Sequence, residues 1–173
     1  MLWDLSRFRG GTEHLERGFE PSALARDDDD FQIVSPVELV VSVHKDATKV
    51  RLAGTVKATL QLECSRCLDS FLVPVHAKVD TLFLPLVENT GEGEREVKED
   101  DLGVAYYQDD VIDLAEVMRE QFYLALPMKP LCREDCRGLC PICGKNRNRE
   151  TCACQHEWVD PRLEPLRKLR DSS

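Results

Sequence analysis

The placement of cysteine constrains this chain of 173 residues more than any other feature. Six of the eight cysteines fall within 23 residues, from Cys132 to Cys154, and the other two form the pair Cys64 and Cys67. Closely spaced thiols in a reducing compartment bind metal ions more often than they form disulfides. The sequence therefore predicts a domain that metal ions hold together.

The strongest motif is CPICG at residues 140–144, which has the form of a zinc knuckle. Its proline and glycine shape a turn in which backbone amides can face the two sulfurs. Eight residues separate Cys143 from the tripeptide CAC at 152–154. That span is compatible with one site built from four sulfurs.

Ligand counting extends the argument to the remaining cysteines. If the last four cysteines hold one zinc ion, the pair at 132 and 136 lacks two ligands, and so does the pair at 64 and 67. We therefore predict two zinc sites, formed by Cys64, Cys67, Cys132 and Cys136 and by Cys140, Cys143, Cys152 and Cys154. Two alternatives stay open: a binuclear six-cysteine cluster that leaves the first pair free, and His156 in place of one cysteine ligand.

Zinc sites closed by four thiolates stabilise a fold but do not catalyse, because a hydrolytic zinc needs an exchangeable water. The sequence therefore favours a protein that is not an enzyme and has no small-molecule substrate. The enzymatic alternative is a thiol oxidoreductase that uses Cys140 and Cys143. Such a motif follows a strand and opens a helix, and the sequence predicts neither element around it.

Two alternating segments predict the main part of a sheet. Apolar residues recur at every second position through most of 50–62 and again through 71–83, which indicates two half-buried strands paired as an antiparallel hairpin. Pro74 lacks a backbone donor, so we expect an edge or an irregularity there. Residues 37–43, rich in valine and leucine, predict a third strand.

A helix is predicted to begin after Asp113 and to end before Pro127. Asp113 and Glu116 resemble a capping box. We expect the helix to cover the sheet with a face formed by Leu114, Val117, Met118, Gln121, Leu124 and Ala125. A second short helix is predicted from Asp160, and residues 27–30 and 88–101 are predicted to be solvated loops.

The net charge of −9 hides an uneven distribution. Residues 80–125 carry three basic and thirteen acidic side chains, whereas residues 126–173 carry ten and seven. Nucleic acid is therefore disfavoured at long range but can be contacted locally by the C-terminal part, while the acidic centre suits a basic protein.

Neither a membrane span nor an export signal is indicated. No apolar run approaches the about 20 residues needed to cross a bilayer, and no apolar region follows the first charged residues. We expect a soluble, cytoplasmic protein without a membrane partner.

Several segments together resemble the YceD family of large ribosomal RNA subunit accumulation proteins. They are CSRCL at 64–68, ALPMKPLC at 125–132, GLCPICG at 138–144, CAC at 152–154 and DPRL at 160–163. The resemblance implies a bacterial or organellar protein that supports the accumulation of 23S ribosomal RNA, and so ribosome assembly. The implied partner is ribosomal RNA or an assembling large-subunit ribosomal protein, and the resemblance supplies no active site.

The basic segment GKNRNR at 144–149 lies between two ligand pairs and offers cations to phosphate groups. Phosphate contact is expected to order it. The candidate RNA-binding residues are Arg66, Lys129, Arg133, Arg137, Lys145, Arg147 and Arg149. The alternative is that these cations only balance the negative zinc–thiolate centres.

The predicted fold is α+β, with an antiparallel β-sheet, a covering helix and a C-terminal Cys-rich zinc-bound segment. We divide the chain into an N-terminal extension at 1–30, an α+β core at 31–130 and a zinc-binding segment with a C-terminal helix at 131–173. The predicted function is non-enzymatic support of large-subunit ribosomal RNA accumulation. The alternative from another class is a zinc-binding protein-interaction module without RNA contact.

Overall fold

The computed structural model describes residues 1–8, 10–26, 28–86, 104–154 and 162. The strands within them are β1 (Leu2–Asp4), β2 (Gly11–Phe19), β3 (Gln32–Ile33), β4 (Val37–Asp46), β5 (Lys49–Glu63), β6 (Ser70–Pro85), β7 (Val104–Tyr107) and β8 (Val111–Asp113). The α-helix is α1 (Leu114–Ala125), and short 3-10 helices cover Leu5–Arg7 and Pro21–Ala23.

A long hairpin of β5 and β6 organises the sheet. The two strands pair antiparallel from Val50 opposite Phe83 to Glu63 opposite Ser70, as the alternating segments predicted. The strand order is β2-β4-β5-β6-β7. β4 pairs with β5 as far as Lys57, and β3 pairs with the next part of β5, at Leu60 and Gln61. β7 runs parallel to β6, which the sequence did not predict, and β1 pairs with β8 in a separate two-stranded sheet.

Pro74 lies where β6 is an edge of the described sheet. β7 pairs only with the last four residues of β6, from Leu82 to Pro85, whereas Pro74 lies farther back, opposite Thr59 of β5. Among the described strands, the missing backbone donor therefore disrupts no second ladder, which agrees with the expected edge position.

The core lies between one face of the sheet and α1, which packs against β6. Asp113 caps the helix as predicted, because its Oδ1 accepts a hydrogen bond of 3.0 Å from the amide of Ala115. Fully buried side chains come from the sheet and from the helix: Val37, Leu39, Val43, Val50, Leu52, Leu60, Leu114, Met118 and Phe122. The predicted α+β class, with a mostly antiparallel sheet and a covering helix, is confirmed.

Two residues of the predicted helical face, Leu124 and Ala125, are exposed in the last turn of α1. Leu124 is 78% exposed, while Phe122 is fully buried. At about 100° per residue, Leu124 lies roughly 120° around the helix from Met118, outside the apolar stripe that faces the sheet. The C-terminal turn of α1 therefore presents leucine to solvent.

The described residues within 1–30, a range predicted as an N-terminal extension, pair with the sheet and pack on its core. β2 pairs with β4 along its whole length, from Gly11 opposite Lys45 to Phe19 opposite Val37. Leu5 and Leu24 are buried in the same core as the hairpin. The residues of β2 are mostly polar, so the pairing of β2 with β4 rests on backbone hydrogen bonds rather than on an apolar pattern.

Asp29 corrects the expectation that residues 27–30 are simply solvated. Its carboxylate accepts hydrogen bonds from Arg119 of α1 and from the Tyr123 hydroxyl, the latter at 2.9 Å, and its side chain is 2% exposed. A carboxylate can be buried when a guanidinium pairs with it. This contact ties the segment before β3 to the helix.

Other predictions lie outside the described residues, namely the loop at 88–101, the helix after Asp160 and the ligand role of His156. Across the described ranges, the structure contains no helix with the length and apolar character needed to cross a membrane.

Candidate metal centres

Four cysteines from two distant parts of the chain meet at the end of the β5–β6 hairpin. This first cluster consists of Cys64, Cys67, Cys132 and Cys136, whose Sγ atoms all lie within 4.8 Å of one another. The Sγ atoms of Cys64 and Cys136 are 3.7 Å apart, as are those of Cys67 and Cys132. Tetrahedral zinc with bonds of about 2.3 Å separates its sulfurs by about 3.8 Å, whereas a disulfide bond is about 2.05 Å long. The spacing fits a metal ion and not a disulfide.

The turn between β5 and β6 presents the first two of these sulfurs. The amide of Leu68 donates to the carbonyl of Cys64 at 2.9 Å, and the amide of Cys64 donates to the carbonyl of Asp69 at 3.0 Å. Leu68 has a φ of 61°, a left-handed conformation that closes the turn. Both thiols therefore point to the same side of a tight loop.

The C-terminal segment docks on this turn through backbone hydrogen bonds. Ser65 donates to the carbonyl of Pro130 and Leu139 donates to the carbonyl of Arg66, both at 2.9 Å. Gly138 has a φ of +69°, and a Cβ atom at that position would lie 2.9 Å from the Arg66 carbonyl oxygen. Only glycine allows both the conformation and this close approach.

The second cluster consists of Cys140, Cys143, Cys152 and Cys154, whose Sγ atoms also lie within 4.8 Å of one another. Its knuckle repeats the hydrogen bonds of the first. Gly144 donates to the carbonyl of Cys140 and Cys140 donates to the carbonyl of Lys145, both at 2.8 Å. Gly144, with a φ of +72°, takes the place that Leu68 has in the first turn. The grouping of cysteines that ligand counting predicted is the grouping that the structure has.

Hydrogen bonds around the first cluster give its thiols different pKa values. Burial raises the pKa of Cys64, but the amides of Cys132, Arg66 and Cys67 outweigh it and lower that pKa to about 6. The Asp69 amide lowers the pKa of Cys67, whereas burial and competition from the neighbouring sulfurs raise it to about 12. Adjacent thiolates repel, so full ionisation of the group requires a bound cation.

The second cluster shows the same division. Amides of Cys143 and Ile142 lower the pKa of Cys140 to about 6 against the effect of burial. The neighbouring Cys143 sulfur and burial raise the pKa of Cys154 to about 12. Each cluster thus contains one sulfur with a pKa of about 6 and one with a pKa of about 12, and the latter ionises near neutral pH only beside a bound cation.

Sequence reasoning missed the role of two asparagines that join the clusters. The Nδ2 of Asn148 donates to the Cys136 sulfur at 3.2 Å, and its Oδ1 accepts from the Arg137 amide at 2.8 Å. The Nδ2 of Asn146 donates to Asp69 Oδ2 at 2.8 Å. Asparagines beside a knuckle are the available sequence signal, since they satisfy turn backbone groups and sulfurs.

Four of the predicted RNA-binding cations already bond protein groups. Arg66 donates to the Cys136 carbonyl at 2.8 Å, and Arg149 pairs with Asp69 at 3.1 Å. Lys145 lies 3.3 Å from Glu150, and Arg133 donates to Asn148 at 2.7 Å. The other three candidates, Lys129, Arg137 and Arg147, are exposed and their side chains have no such partner among the described residues.

The basic segment at 144–149 is folded by protein contacts, contrary to the expectation that phosphate orders it. Leu139 and Asn146 form an isolated β-bridge, and the backbone amide of Arg147 donates to the Gly138 carbonyl at 2.9 Å. The segment is therefore part of the joint between the two clusters.

Comparison with known proteins gives consistent matches. Residues 52–170 match the family model described as large ribosomal RNA subunit accumulation protein YceD. An uncharacterized protein of Mycobacterium tuberculosis is 35% identical over 75% of this chain and 60% of its own length, and an uncharacterized Bacillus subtilis protein is 28% identical over 97% and 94%. A chloroplastic large ribosomal RNA subunit accumulation protein YCED homolog 1 of Arabidopsis thaliana is 27% identical over 86% and 53%.

This chain thus spans about 60% of the length of its mycobacterial relative. No solved structure matches the chain. The family model covers more than half of the sequence and contains both knuckles, which confirms the resemblance seen in the sequence. The chain therefore belongs to the YceD family of large ribosomal RNA subunit accumulation proteins.

Proposed function

We propose that this protein is a non-enzymatic, zinc-stapled factor that supports the accumulation of large-subunit ribosomal RNA. The observation that carries this proposal is the first cluster, which joins the end of the sheet to the basic C-terminal segment. Its sulfur spacing of 3.7 Å matches the edge of a zinc–thiolate tetrahedron. The metal would fix the position of that segment on the sheet.

The donor set supports a structural rather than a catalytic metal. Each cluster offers four sulfurs, and four thiolates complete a tetrahedral shell without a position for water or substrate. A single iron ion would fit the same donors, so elemental analysis must identify the metal. A thiol oxidoreductase is the weaker alternative, because each CxxC pair lies beside two further sulfurs that compete for coordination.

The link to ribosomal RNA comes from the family and from the printed names of the chloroplastic relatives. In this chain we assign the RNA contact to Lys129, Arg137 and Arg147, the three of the seven candidate cations whose exposed side chains have no protein partner in the described segments. Arginine and lysine in such positions contact phosphate oxygens and fix the orientation of RNA without reading its sequence.

A protein-interaction module without RNA contact is the second candidate. The observation in its favour is that Arg66, Arg133, Lys145 and Arg149 are engaged within the protein. Such cations balance the negative charge of the metal centres and lose part of their attraction for phosphate.

Charge removal distinguishes these candidates. Replacing Lys129, Arg137 and Arg147 by glutamine should weaken binding of a labelled large-subunit ribosomal RNA transcript and reduce the slope of log affinity against log salt by about two. The matched control replaces Arg17, Lys49 and Lys57, which are exposed on strands away from the clusters. Equal binding by both triple variants, with their zinc retained, would exclude the proposed RNA surface.

A further inference from the structure

A groove of about 770 Å³ lies between the end of β5 and the segment that leads from α1 to the first cluster. Apolar side chains line it from the sheet and from that segment, including Phe31, Leu62, Leu126 and Met128. Met128 is fully exposed, so it makes no contribution to the core. Phe31 and Leu62 belong to the core, so the apolar surface that the groove leaves unused comes from Met128 and from the half-buried Leu126.

The same groove is acidic. Asp30 and Glu63 line it with exposed carboxylates, and neither a lysine nor an arginine is among the described residues that line it. The unpartnered cations that we assign to RNA are not among its lining residues either. An acidic lining repels phosphate and attracts basic side chains.

The wall of the groove is held in place before any ligand arrives. Asp29 is fixed by hydrogen bonds from Arg119 and Tyr123, and the rings of Phe31 and Tyr123 pack with their centroids 5.0 Å apart. Arg119 is itself buried in the core side of α1. A preformed wall lowers the entropy that binding must overcome.

An open strand edge lies along the groove. β3 pairs with β5 only at Gln32 and Ile33, opposite Gln61 and Leu60. Beyond Gln61, the described structure gives Leu62 and Glu63 no strand partner on that side, and both line the groove. Extended peptides use such edges, because backbone hydrogen bonds hold them while side chains enter adjacent pockets.

We propose that this groove binds an extended segment of a partner protein in which basic side chains alternate with apolar ones. The apolar residues would contact Leu126 and Met128, and the basic residues would pair with Asp30 and Glu63. This inference goes beyond the proposed function, since it concerns a different surface and does not depend on RNA binding.

The test uses a fluorescein-labelled peptide of about six residues, an ordinary strand length, in which lysine alternates with valine. Asp30→Asn combined with Glu63→Gln should weaken its binding to the full chain about three- to tenfold at low ionic strength, because two exposed ion pairs are lost. The matched control, Glu13→Gln with Glu16→Gln, removes the same charge from β2, which is separated from β5 by β4, and should leave affinity unchanged. Equal losses in both double variants, or no loss in the groove variant, would overturn the proposal.

A second pair of variants tests the apolar contact. Met128→Ser should weaken binding severalfold without unfolding the protein, because the side chain is fully exposed. Leu72→Ser is the control, since Leu72 is an exposed apolar residue of β6 outside the groove. Zinc content is measured in every variant, so that an effect on the first cluster is recognised.

Two other occupants are distinguished by the same assay. Tighter peptide binding after Arg167, Lys168 and Arg170 are all replaced by glutamine would assign the groove to the chain's own basic C-terminal sequence and overturn the proposal. Self-association that the peptide reverses, measured by sedimentation, would assign it to a second copy and do the same.

Discussion

The two cysteine clusters share one knuckle design but connect very different lengths of chain. Cys67 and Cys132 of the first cluster are separated by 65 residues, whereas the second cluster lies entirely within 140–154. Three cysteines of the first cluster are buried, whereas Cys143 of the second is exposed. The same four-sulfur arrangement therefore joins distant parts of the chain at one site and lies within a short segment at the other.

Chain entropy gives this difference a magnitude. A cross-link that closes a loop of 65 residues restricts the unfolded chain more than one that closes the nine-residue interval from Cys143 to Cys152. In the loop-closure model the difference is about 2 kcal/mol. The first cluster should therefore contribute more to global stability than the second.

The largest expected effect comes from breaking one cluster at a time. Cys64→Ser should remove one zinc ion, release the C-terminal segment from the hairpin and lower the free energy of unfolding by about 2 kcal/mol more than Cys140→Ser does. Cys140→Ser should also remove one zinc ion but leave the sheet intact. Denaturant unfolding with parallel zinc analysis measures both effects. Loss of both ions from either variant would contradict two independent sites.

Gly138→Ala tests the docking between the clusters. The new Cβ would meet the Arg66 carbonyl oxygen at 2.9 Å in a left-handed conformation, so we expect a loss of about 2–3 kcal/mol in unfolding free energy. Gly18→Ala is the control, because nothing lies within 4 Å of its added Cβ and its φ is not positive. Similar losses in the two variants would show that docking does not depend on this contact.

The pH at which zinc is released should differ between the two clusters when Asn148 is replaced. The ordinary cysteine pKa is 9.0, and the lowered pKa of about 6 at Cys64 and Cys140 means that their ionised forms stabilise the fold fully above pH 9.0 and lose this effect as the pH falls through about 6. Burial raises the pKa of Cys136, but hydrogen bonds from Asn148 and from the Gly138 amide lower it overall.

Asn148→Ala should therefore shift zinc release from the first cluster to higher pH. Protons compete with zinc for each sulfur, and loss of the amide makes Cys136 easier to protonate. Release from the second cluster, followed with a zinc indicator in the same titration, is the internal control. An equal shift at both clusters, or none at the first, would contradict the assigned hydrogen bond.

The smallest expected effects come from the residues that close the two knuckles. Gly144→Ala should cost about 1 kcal/mol, because only the left-handed φ of +72° opposes the side chain. Leu68→Gly should be neutral or stabilising by up to about 1 kcal/mol, since it relieves the φ of 61° at an exposed leucine but adds unfolded-state entropy. Thermal unfolding of the two variants measures both changes. A gain in stability from Gly144→Ala together with a loss from Leu68→Gly would contradict the role assigned to the left-handed φ in the two turns.

Much of the fold could be predicted because local patterns and ligand counting agree with tertiary structure. The β5–β6 hairpin follows from the alternation of apolar and polar residues, and α1 follows from Asp113 and the apolar spacing. The cysteine pairing follows from two pairs that each lack two ligands. Each of these signals lies in a short stretch of sequence or in a residue count.

The remaining features depend on partners that a local pattern does not reveal. β2 is mostly polar and exposed, so nothing in its alternation predicts that it pairs with β4. Asp29 is buried only because Arg119, 90 residues away, pairs with it. Arg66 and Arg149 were predicted to face RNA, but carbonyl and carboxylate groups brought close by folding hold them instead.

The most direct test counts zinc ions per chain by native mass spectrometry of the intact, reduced protein and of its Cys64→Ser and Cys140→Ser variants. Two metal-binding knuckle clusters predict two zinc ions in the unmodified chain and one in each variant. A metal-free chain with an ordered C-terminal segment, or two ions retained after Cys64→Ser, would contradict the account.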